Sequence, residues 1–255
     1  MCIVLIAWRT CPGVSLVLAA NRDEYHERPT RAAGFWEDAP AIYGGRDLQQ
    51  GGSWLALDRS GRVAAVTNLR EPGTARAGAR SRGLLVGDYL RGELAPAEYL
   101  RRIAPRDYDG FNLLVGDHEG LWFMNSRRAE PVALAAGVYG ISNGELDCPW
   151  PKVARGKAEL ERILSRRPGH DPESVTEMFS LLAERTLPAD TELPDTGIGL
   201  EWERLLAPLF VQAGAYGTRS STALFMHTGG GFGFYERTFD RQGNQAGATR
   251  QSITP

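Results

Sequence analysis

The sequence predicts an α+β fold in which two mainly antiparallel sheets combine with a small number of helices. Two observations lead to this class. Short apolar, β-branched runs occur in pairs joined by turn-forming residues, as in β-hairpins. Amphipathic helical segments fall mainly in mid-chain, and further strands follow them. Because no internal repeat or linker divides the chain, we expect a single domain over residues 1–255.

Composition and charge exclude several classes of function. Hydrophobic residues make up 42% of the chain and charged residues 24%, an ordinary balance for a protein with a buried core. The formal net charge of −2 gives no general attraction to nucleic acid or to an anionic membrane. The three cysteines lack metal-ligand spacing and indicate neither a disulfide framework nor a zinc site. The apolar start is too short for a transmembrane segment or a secretion signal, so we expect a cytoplasmic protein.

The first predicted hairpin brings a thiol beside a polar motif. Its two apolar runs are residues 2–8 and 14–20, with turn-forming residues between them. If the turn is centred on Cys11-Pro12, Cys2 lies opposite Asn21. Positions two apart on a strand share a face, so Asp23 belongs with them. We therefore expect the thiol, the amide and the carboxylate together at one end of this hairpin.

The position of Cys2, directly after the initiator Met, allows two interpretations. Removal of Met1 leaves Cys2 with a free α-amine of pKa about 8, which is a general base attached to its own nucleophile. Asp23 can hold that amine by a charge-assisted hydrogen bond. In the other interpretation, Cys2 is a small half-buried residue that packs at a strand start, and Asp23 ends the strand. The residues alone leave both open.

The remaining elements are predicted in chain order from the same signals. Residues 31–52 are expected to be a loop, and the tail from Arg241 is expected to be loosely held. The predicted hairpins, helices and strand are a hairpin at 53–68, helices at 82–92 and 95–103, a hairpin at 111–125, a strand at 138–144, helices at 147–169 and 172–185, a short helix at 201–210, and a hairpin at 222–238. Pairing in the second hairpin sets Asn68 near Gly51. In this order the strand ends bring together Cys2, Asn21, Asp23, Asn68, Asn143 and Arg219.

Several short motifs, spread over nearly the whole chain, carry a family resemblance. They are Asn21-Arg22-Asp23-Glu24, Gly51-Gly52-Ser53-Trp54-Leu55, Gly110-Phe111-Asn112-Leu113, Pro149-Trp150-Pro151-Lys152 and Tyr216-Gly217-Thr218-Arg219-Ser220. Together they resemble the NRDE family, also called the transport and Golgi organisation protein 2 family. That family is in turn similar to N-terminal-nucleophile (Ntn) hydrolases. The resemblance implies a four-layer αββα sandwich, in which two mainly antiparallel sheets lie between helical layers.

The resemblance also implies roles for individual residues. Cysteine members of the Ntn group hydrolyse linear amides with a Cys exposed by Met removal, an Asp that binds its amine, and Asn groups that stabilise the oxyanion. Carried over by motif, the catalytic roles fall on Cys2, Asp23, Asn68 and Asn143, and the neighbouring substrate-binding positions are Asn21, Arg22 and Arg219. Those hydrolases have an Arg immediately before the Asn of this motif, where this chain has Ala20. Arg22 could take the place of that Arg only if the alignment has a gap here or the strand turns.

A second hypothesis comes from the association of the same family with haem trafficking and with lipid or acyl-CoA handling. A non-catalytic carrier would bind haem or an acyl chain in the cleft between the sheet ends, with Cys2 or His26 as an iron ligand. The sequence has no Cys-x-x-Cys-His motif, and its four histidines are expected at the surface or in turns: His26, His118, His170 and His227. The two hypotheses are thus a cofactor-independent amidohydrolase and a haem or lipid carrier. The oligomeric state is not indicated.

Overall fold

A computed structural model describes residues 2–253, whose strands form two sheets of seven. The strands are β1 (Cys2–Cys11), β2 (Val14–Tyr25), β3 (Thr30–Trp36), β4 (Ala39–Asp47), β5 (Leu55–Asp58), β6 (Val63–Asn68), β7 (Phe111–Gly116), β8 (Leu121–Asn125), β9 (Val132–Ala133), β10 (Gly137–Ile141), β11 (Gln212–Ala213), β12 (Tyr216–His227), β13 (Phe232–Phe239) and β14 (Gln245–Ile253). The helices are α1 (Gly83–Arg91), α2 (Pro96–Arg102), α3 (Pro151–Arg166), α4 (Pro172–Leu182) and α5 (Leu200–Leu205), with 3-10 turns at Pro105–Asp107 and Asp190–Glu192.

The two sheets differ in how they follow the chain. The first has the order β10-β1-β2-β12-β13-β14, with β11 paired to β12, and so joins the beginning of the chain to its end. The second runs in sequence order from β3 to β9. Every pairing between these strands, over the part of the chain that is described, is antiparallel. The predicted pair of mainly antiparallel sheets is confirmed.

The sheets face each other across a central hydrophobic cluster. Leu18 of the first sheet and Leu57 of the second are both fully buried in it. Successive strand residues point to opposite faces, and β1 shows this alternation clearly. Ile6 belongs to the central cluster, whereas Leu5 belongs to a second cluster on the outer face of the first sheet. The apolar run that starts the chain is therefore buried on both sides.

Helices cover the outer face of each sheet. α3 and α4 pack on the first sheet through Leu160 and Met178, and α1 and α2 pack on the second through Leu85 and Leu100. Gly156 allows α3 to approach β1 closely, because a Cβ there would lie 2.8 Å from a methyl carbon of Leu5. These layers make up the predicted four-layer αββα sandwich. None of the helices between residues 2 and 253 has the length and apolar character needed to cross a bilayer.

The register of the first hairpin corrects the prediction by one residue. Cys2 pairs with Arg22, and Ile3 pairs with Asn21. Two features cause the shift: the turn ends at Gly13, whose φ is 75°, and the register changes between Trp8 and Cys11. The expectation that Cys2 lies opposite Asn21 is therefore wrong. Since a shift of one residue exchanges the two faces of a strand, Arg22 shares a face with Cys2 and Asn21 does not.

Two other expectations are also corrected. Residues 31–52, expected as a loop, contain most of β3 and all of β4, which pair with each other. The tail from Arg241, expected to be loosely held, forms β14 along β13. β14 is an edge strand whose exposed residues alternate with half-buried ones, so it needs little apolar sequence. On the side of β7, Asn68 pairs with Phe111 at the end of β6; its position near Gly51, on the side of β5, stays a prediction.

Candidate active site

Cys2 lines a cleft to which both sheets and the start of α1 contribute. The cleft has a volume of about 270 Å³. The first sheet supplies Cys2 and Asp23, and the second supplies Asn68 at the end of β6. The carbonyl of Cys2 accepts a hydrogen bond of 3.1 Å from the Ser142 hydroxyl. Strand pairing on one side and this bond on the other fix the start of β1 within the cleft.

The Cys2 thiol is half-buried, and its surroundings keep it protonated. Burial raises the pKa of Cys2 above the usual range of a thiol. The charge of Arg22 and the backbone N–H of Asp23 act in the opposite direction without reversing the shift. A thiol of this kind is a weak nucleophile until a base removes its proton. The chemistry of this site therefore depends on a base close to Cys2.

Asp23 is held from the neighbouring strand. It pairs with Thr218 of β12, whose hydroxyl donates a 2.7 Å hydrogen bond to Asp23 Oδ1. The Tyr216 hydroxyl donates a bond of 2.8 Å to the Asp23 carbonyl. Burial raises the pKa of the Asp23 carboxyl, while the positive charge of Lys152 lowers it. Asp23 is thus a buried carboxyl group with a fixed orientation.

Lys152 is a buried cation that sequence reasoning did not assign to the site. Its ammonium group donates a 2.9 Å bond to the Leu206 carbonyl, and the residue is only 2% exposed. Burial lowers the pKa of Lys152 to about 8, and the charge of Asp23 opposes that change. One signal was present in the sequence. Lys152 is one of only two lysines in a chain that otherwise uses Arg, and it stands in one of the family motifs.

The two candidate oxyanion residues are placed differently. Asn68 lines the cleft with Cys2, and within residues 2–253 its side chain has no hydrogen-bond partner. Asn143 is buried, and its side chain donates a 2.9 Å bond to the Asn68 carbonyl. Asn143 lines a neighbouring cavity with Leu69 and Arg70 rather than the cleft of Cys2. The structure therefore brings Cys2, Asp23 and Asn68 together and places Asn143 behind Asn68, and their catalytic roles stay predictions.

Asn21 and Arg219, predicted to bind substrate, lie outside the cleft. The Asn21 amide donates to the carbonyls of Leu182 and Leu209, at 2.8 and 2.9 Å. Its oxygen accepts a 2.6 Å bond from Ser221, so its hydrogen bonds connect β2 to the helical side of the sheet. Arg219 donates to backbone carbonyls of residues 25 and 28 and lines a separate cavity. Both positions have contacts that stabilise the fold.

Arg22 is the substrate-binding candidate that does line the cleft. Its guanidinium stacks on Trp54, 4.3 Å from the ring centroid, and donates a 3.1 Å bond to the Thr30 hydroxyl. The observed register sets it directly across from Cys2. This position follows from ordinary strand pairing.

The histidines lie apart from the cleft. His170 was expected in a turn or at the surface, yet its ring stacks on Phe225 with centroids 4.6 Å apart. His170 Nδ1 lies 3.3 Å from His227 Nε2, so these two rings form a pair that the sequence did not reveal. None of the four histidines lines the cleft. Between residues 2 and 253 there is no cluster of three or more His, Cys, Asp or Glu residues suited to a metal ion.

Comparison with known proteins relates nearly the whole chain to one family. The sequence model described as "Transport and Golgi organisation 2" matches residues 1–241. The Bos taurus transport and Golgi organization protein 2 homolog is 33% identical, over 93% of both chains. The Drosophila melanogaster transport and Golgi organization protein 2 is 28% identical, over 93% of this chain and 92% of its own.

A solved structure shows the same fold at low sequence identity. It is a mutant of the conjugated bile acid hydrolase from Clostridium perfringens. The TM-score is 0.53 at 9% identity, and the match covers 100% of this chain and 97% of that one. At this identity the likeness concerns the fold alone. The chain therefore shares the fold of that hydrolase.

Proposed function

The chain belongs to the Transport and Golgi organisation 2 family, and from that premise we propose that it is an amidohydrolase in which Cys2 attacks a small linear amide. One observation carries the proposal. A thiol, a buried carboxyl group and an amide without a hydrogen-bond partner in the described chain share one cleft in an Ntn-hydrolase fold. This combination supplies a nucleophile, a group that can orient its base, and an oxyanion donor.

The proposed reaction starts from protein that has lost Met1. The α-amine of Cys2, oriented by Asp23, takes the proton of the thiol, and the sulfur attacks the amide carbonyl carbon. The Asn68 side-chain N–H donates to the negatively charged oxygen, and a donor of this kind contributes on the order of 3 kcal/mol. The C–N bond then breaks, and the leaving amine takes the proton from the α-ammonium. Water, deprotonated by the same amine, hydrolyses the thioester and releases the acid.

The lining of the cleft favours a small polar substrate. Its volume of about 270 Å³ is at the lower end for ligand pockets, and much of its wall consists of charged side chains. Haem and acyl chains bind in larger, mostly apolar pockets. We therefore prefer amide hydrolysis to the carrier hypothesis. Haem or lipid as cargo stays a prediction, and visible absorption during haem titration tests it.

Amine release from a panel of small linear amides tests the proposal. Wild-type protein should hydrolyse at least one member, and Cys2→Ala should abolish that reaction. Cys148→Ala is the matched control, because Cys148 is also a half-buried free thiol but does not line the cleft. This control should keep the wild-type rate within about twofold, as expected of a change away from the reacting atoms. Hydrolysis that survives in Cys2→Ala, or no hydrolysis by the wild type, contradicts the proposal.

A further inference from the structure

The arginines in the wall of the cleft differ in their partners. Four arginines line it: Arg22, Arg28, Arg80 and Arg82. Arg28 forms an ion pair of 2.6 Å with Asp47. Arg80 is 3.5 Å from Asp88, which does not line the cleft. These two guanidinium groups already have carboxylate partners in the protein.

Within residues 2–253, Arg22 and Arg82 form no ion pair, but the Arg22 guanidinium is already stacked on Trp54 and bonded to the Thr30 hydroxyl. Arg82 has neither kind of contact in this part of the chain. Its residue is half-buried, and its Nη1 donates a 3.2 Å bond to the Gly110 carbonyl. No carboxylate among residues 2–253 forms an ion pair with it, although Asp109 and Glu24 attract it at longer range. Burial lowers the pKa of Arg82 against the effect of these carboxylates. A guanidinium that is partly removed from water without a partner is costly, and a ligand carboxylate would offset that cost.

The backbone holds Arg82 in a fixed position. The Gly83 carbonyl accepts a 3.0 Å bond from the Ser53 N–H. Gly52 packs so tightly there that a Cβ on it would lie 2.3 Å from the carbonyl carbon of Gly83. The chain before β5 and the start of α1 are therefore joined at the cleft. The backbone that carries the Arg82 side chain is therefore already ordered before a ligand binds.

We propose that Arg82 binds a carboxylate of the substrate, so that the amide cleaved at Cys2 is one that also carries a carboxylate group. The planar guanidinium has two parallel N–H groups that match a carboxylate in geometry and charge. Arg82 and Cys2 line the same small cleft, so the carboxylate and the scissile carbonyl belong to one small molecule. The reaction step rests on the proposed amidohydrolase function. Recognition of the carboxylate does not, and binding measures it separately.

Binding to Cys2→Ala, which cannot turn the ligand over, is the first test. The probes are N-acetylglycine, with its carboxylate on the amine side, succinamic acid, with its carboxylate on the acyl side, and neutral N-acetylglycinamide. At least one of the two acids should bind, and the tighter acid identifies the side on which the carboxylate lies. Adding Arg82→Gln should weaken binding of that acid by at least about tenfold, as expected for a lost charge-assisted hydrogen bond. Binding of the neutral probe should stay unchanged.

Arg80→Gln is the matched control in the same background. It removes the same charge from the same wall, but from a guanidinium that already faces Asp88. Its effect on acid binding should be smaller than about twofold, as for a partly screened surface charge. If both variants weaken acid binding equally, the acids are attracted by the overall positive charge of the cleft wall rather than bound at Arg82. That result would overturn the inference. Equal affinity of Arg82→Gln and its parent for both acids, or no binding of either acid, would also overturn it.

Kinetics then separate this inference from the proposed function. With wild-type protein, kcat/KM for the preferred acid should exceed that for its neutral analogue, and Arg82→Gln should remove the preference. Arg82→Lys, which keeps the charge without the two parallel N–H groups, should restore part of it. Acid binding without hydrolysis supports the inference and contradicts the proposed function. Equal hydrolysis of acid and neutral amides supports the proposed function and overturns the inference.

Discussion

Thr218 on β12 donates its hydroxyl proton to Asp23 Oδ1 on β2 across a distance of 2.7 Å. The same hydroxyl oxygen accepts a 2.9 Å bond from the N–H of Val211, so Thr218 connects the two groups. Both Thr218 and Asp23 are 1% exposed. A threonine on the strand that pairs with β2 therefore orients the carboxyl group on which the proposed base depends.

Removal of this hydroxyl should affect both stability and catalysis. Thr218→Val removes one hydrogen bond from the buried Asp23 carboxyl and takes away the acceptor of the Val211 N–H, at a cost of about 1–3 kcal/mol in the free energy of unfolding. It also removes a bond that lowers the pKa of Asp23, so the carboxyl should ionise at higher pH. Urea denaturation measures the first effect. Thr176→Val, on the exposed face of α4, is the control and should change stability by less than about 0.5 kcal/mol.

Asn21 and Asn68 should respond in opposite ways. Asn21→Ala leaves the buried carbonyls of Leu182 and Leu209 without their donor, so it should cost about 1–3 kcal/mol or more in stability. Asn68→Ala removes a side chain without a hydrogen-bond partner in residues 2–253, and its stability should change by about 1 kcal/mol at most. Loss of an oxyanion donor should nevertheless lower kcat about 100- to 1000-fold. An Asn68→Ala variant with normal kcat would remove Asn68 from the mechanism.

The buried ion pair of Arg70 and Glu203 gives a test of the structure beside the site. Both side chains are nearly inaccessible, and Arg70 also stacks on Trp150. Arg70→Met leaves Glu203 charged and buried, so it should destabilise the protein by about 3–5 kcal/mol. The double variant Arg70→Met, Glu203→Leu should recover much of that loss, because no unpaired charge stays buried. If the single and double variants lose the same stability, the unpaired charge of Glu203 is not the cause of the loss.

Glu236 should make stability depend on pH between about 4.5 and 7. Burial raises the pKa of Glu236 to about 7, from an ordinary value near 4.5. In this window the folded state holds a proton that the unfolded state has lost, so stability falls as pH rises. This pKa shift corresponds to a loss of about 3 kcal/mol in the free energy of unfolding between pH 4 and pH 8.

Glu236→Gln isolates this contribution. The amide oxygen can still accept from the N–H of Ala33, which Glu236 Oε1 does at 2.7 Å, but it cannot ionise. Between pH 4 and pH 8, the free energy of unfolding measured by urea titration should therefore fall by about 3 kcal/mol less in the variant than in the wild type. Glu173→Gln, on the surface of α4, should follow the wild-type curve. Parallel curves for Glu236→Gln and the wild type would contradict a raised pKa.

Much of the fold could be predicted because apolar periodicity is local information. The continuous apolar, β-branched run at residues 2–8 and the amphipathic pattern of α3 can both be recognised directly in the sequence. β14 was missed because an edge strand with one half-buried face can be built from polar residues. The register of β1 and β2 was missed because it depends on a turn and a bulge that shift the pairing. Such backbone details are set by the packed sheet rather than by local composition.

The site could be predicted in part for similar reasons. Motifs at strand ends located Cys2, Asp23 and Asn68, which line the same cleft. Asn21 belongs to the same motif, yet it lies outside the cleft, because its amide is bonded to the carbonyls of Leu182 and Leu209 on the helical side of the sheet. Lys152 and Arg82 lie on other elements, and only the packing of α3 and α1 against the sheets brings them near the cleft. No spacing in the sequence encodes those contacts.

The mass of intact protein, produced without an N-terminal tag, tests the central claim most directly. The account requires a free α-amine on Cys2, so the measured mass should be that of the chain without Met1. Reaction with a substrate whose thioester hydrolyses slowly should then add one acyl group, and Cys2→Ala should add none. Complete retention of Met1 in protein that hydrolyses the amide would contradict the account, because the α-amine would then belong to another residue.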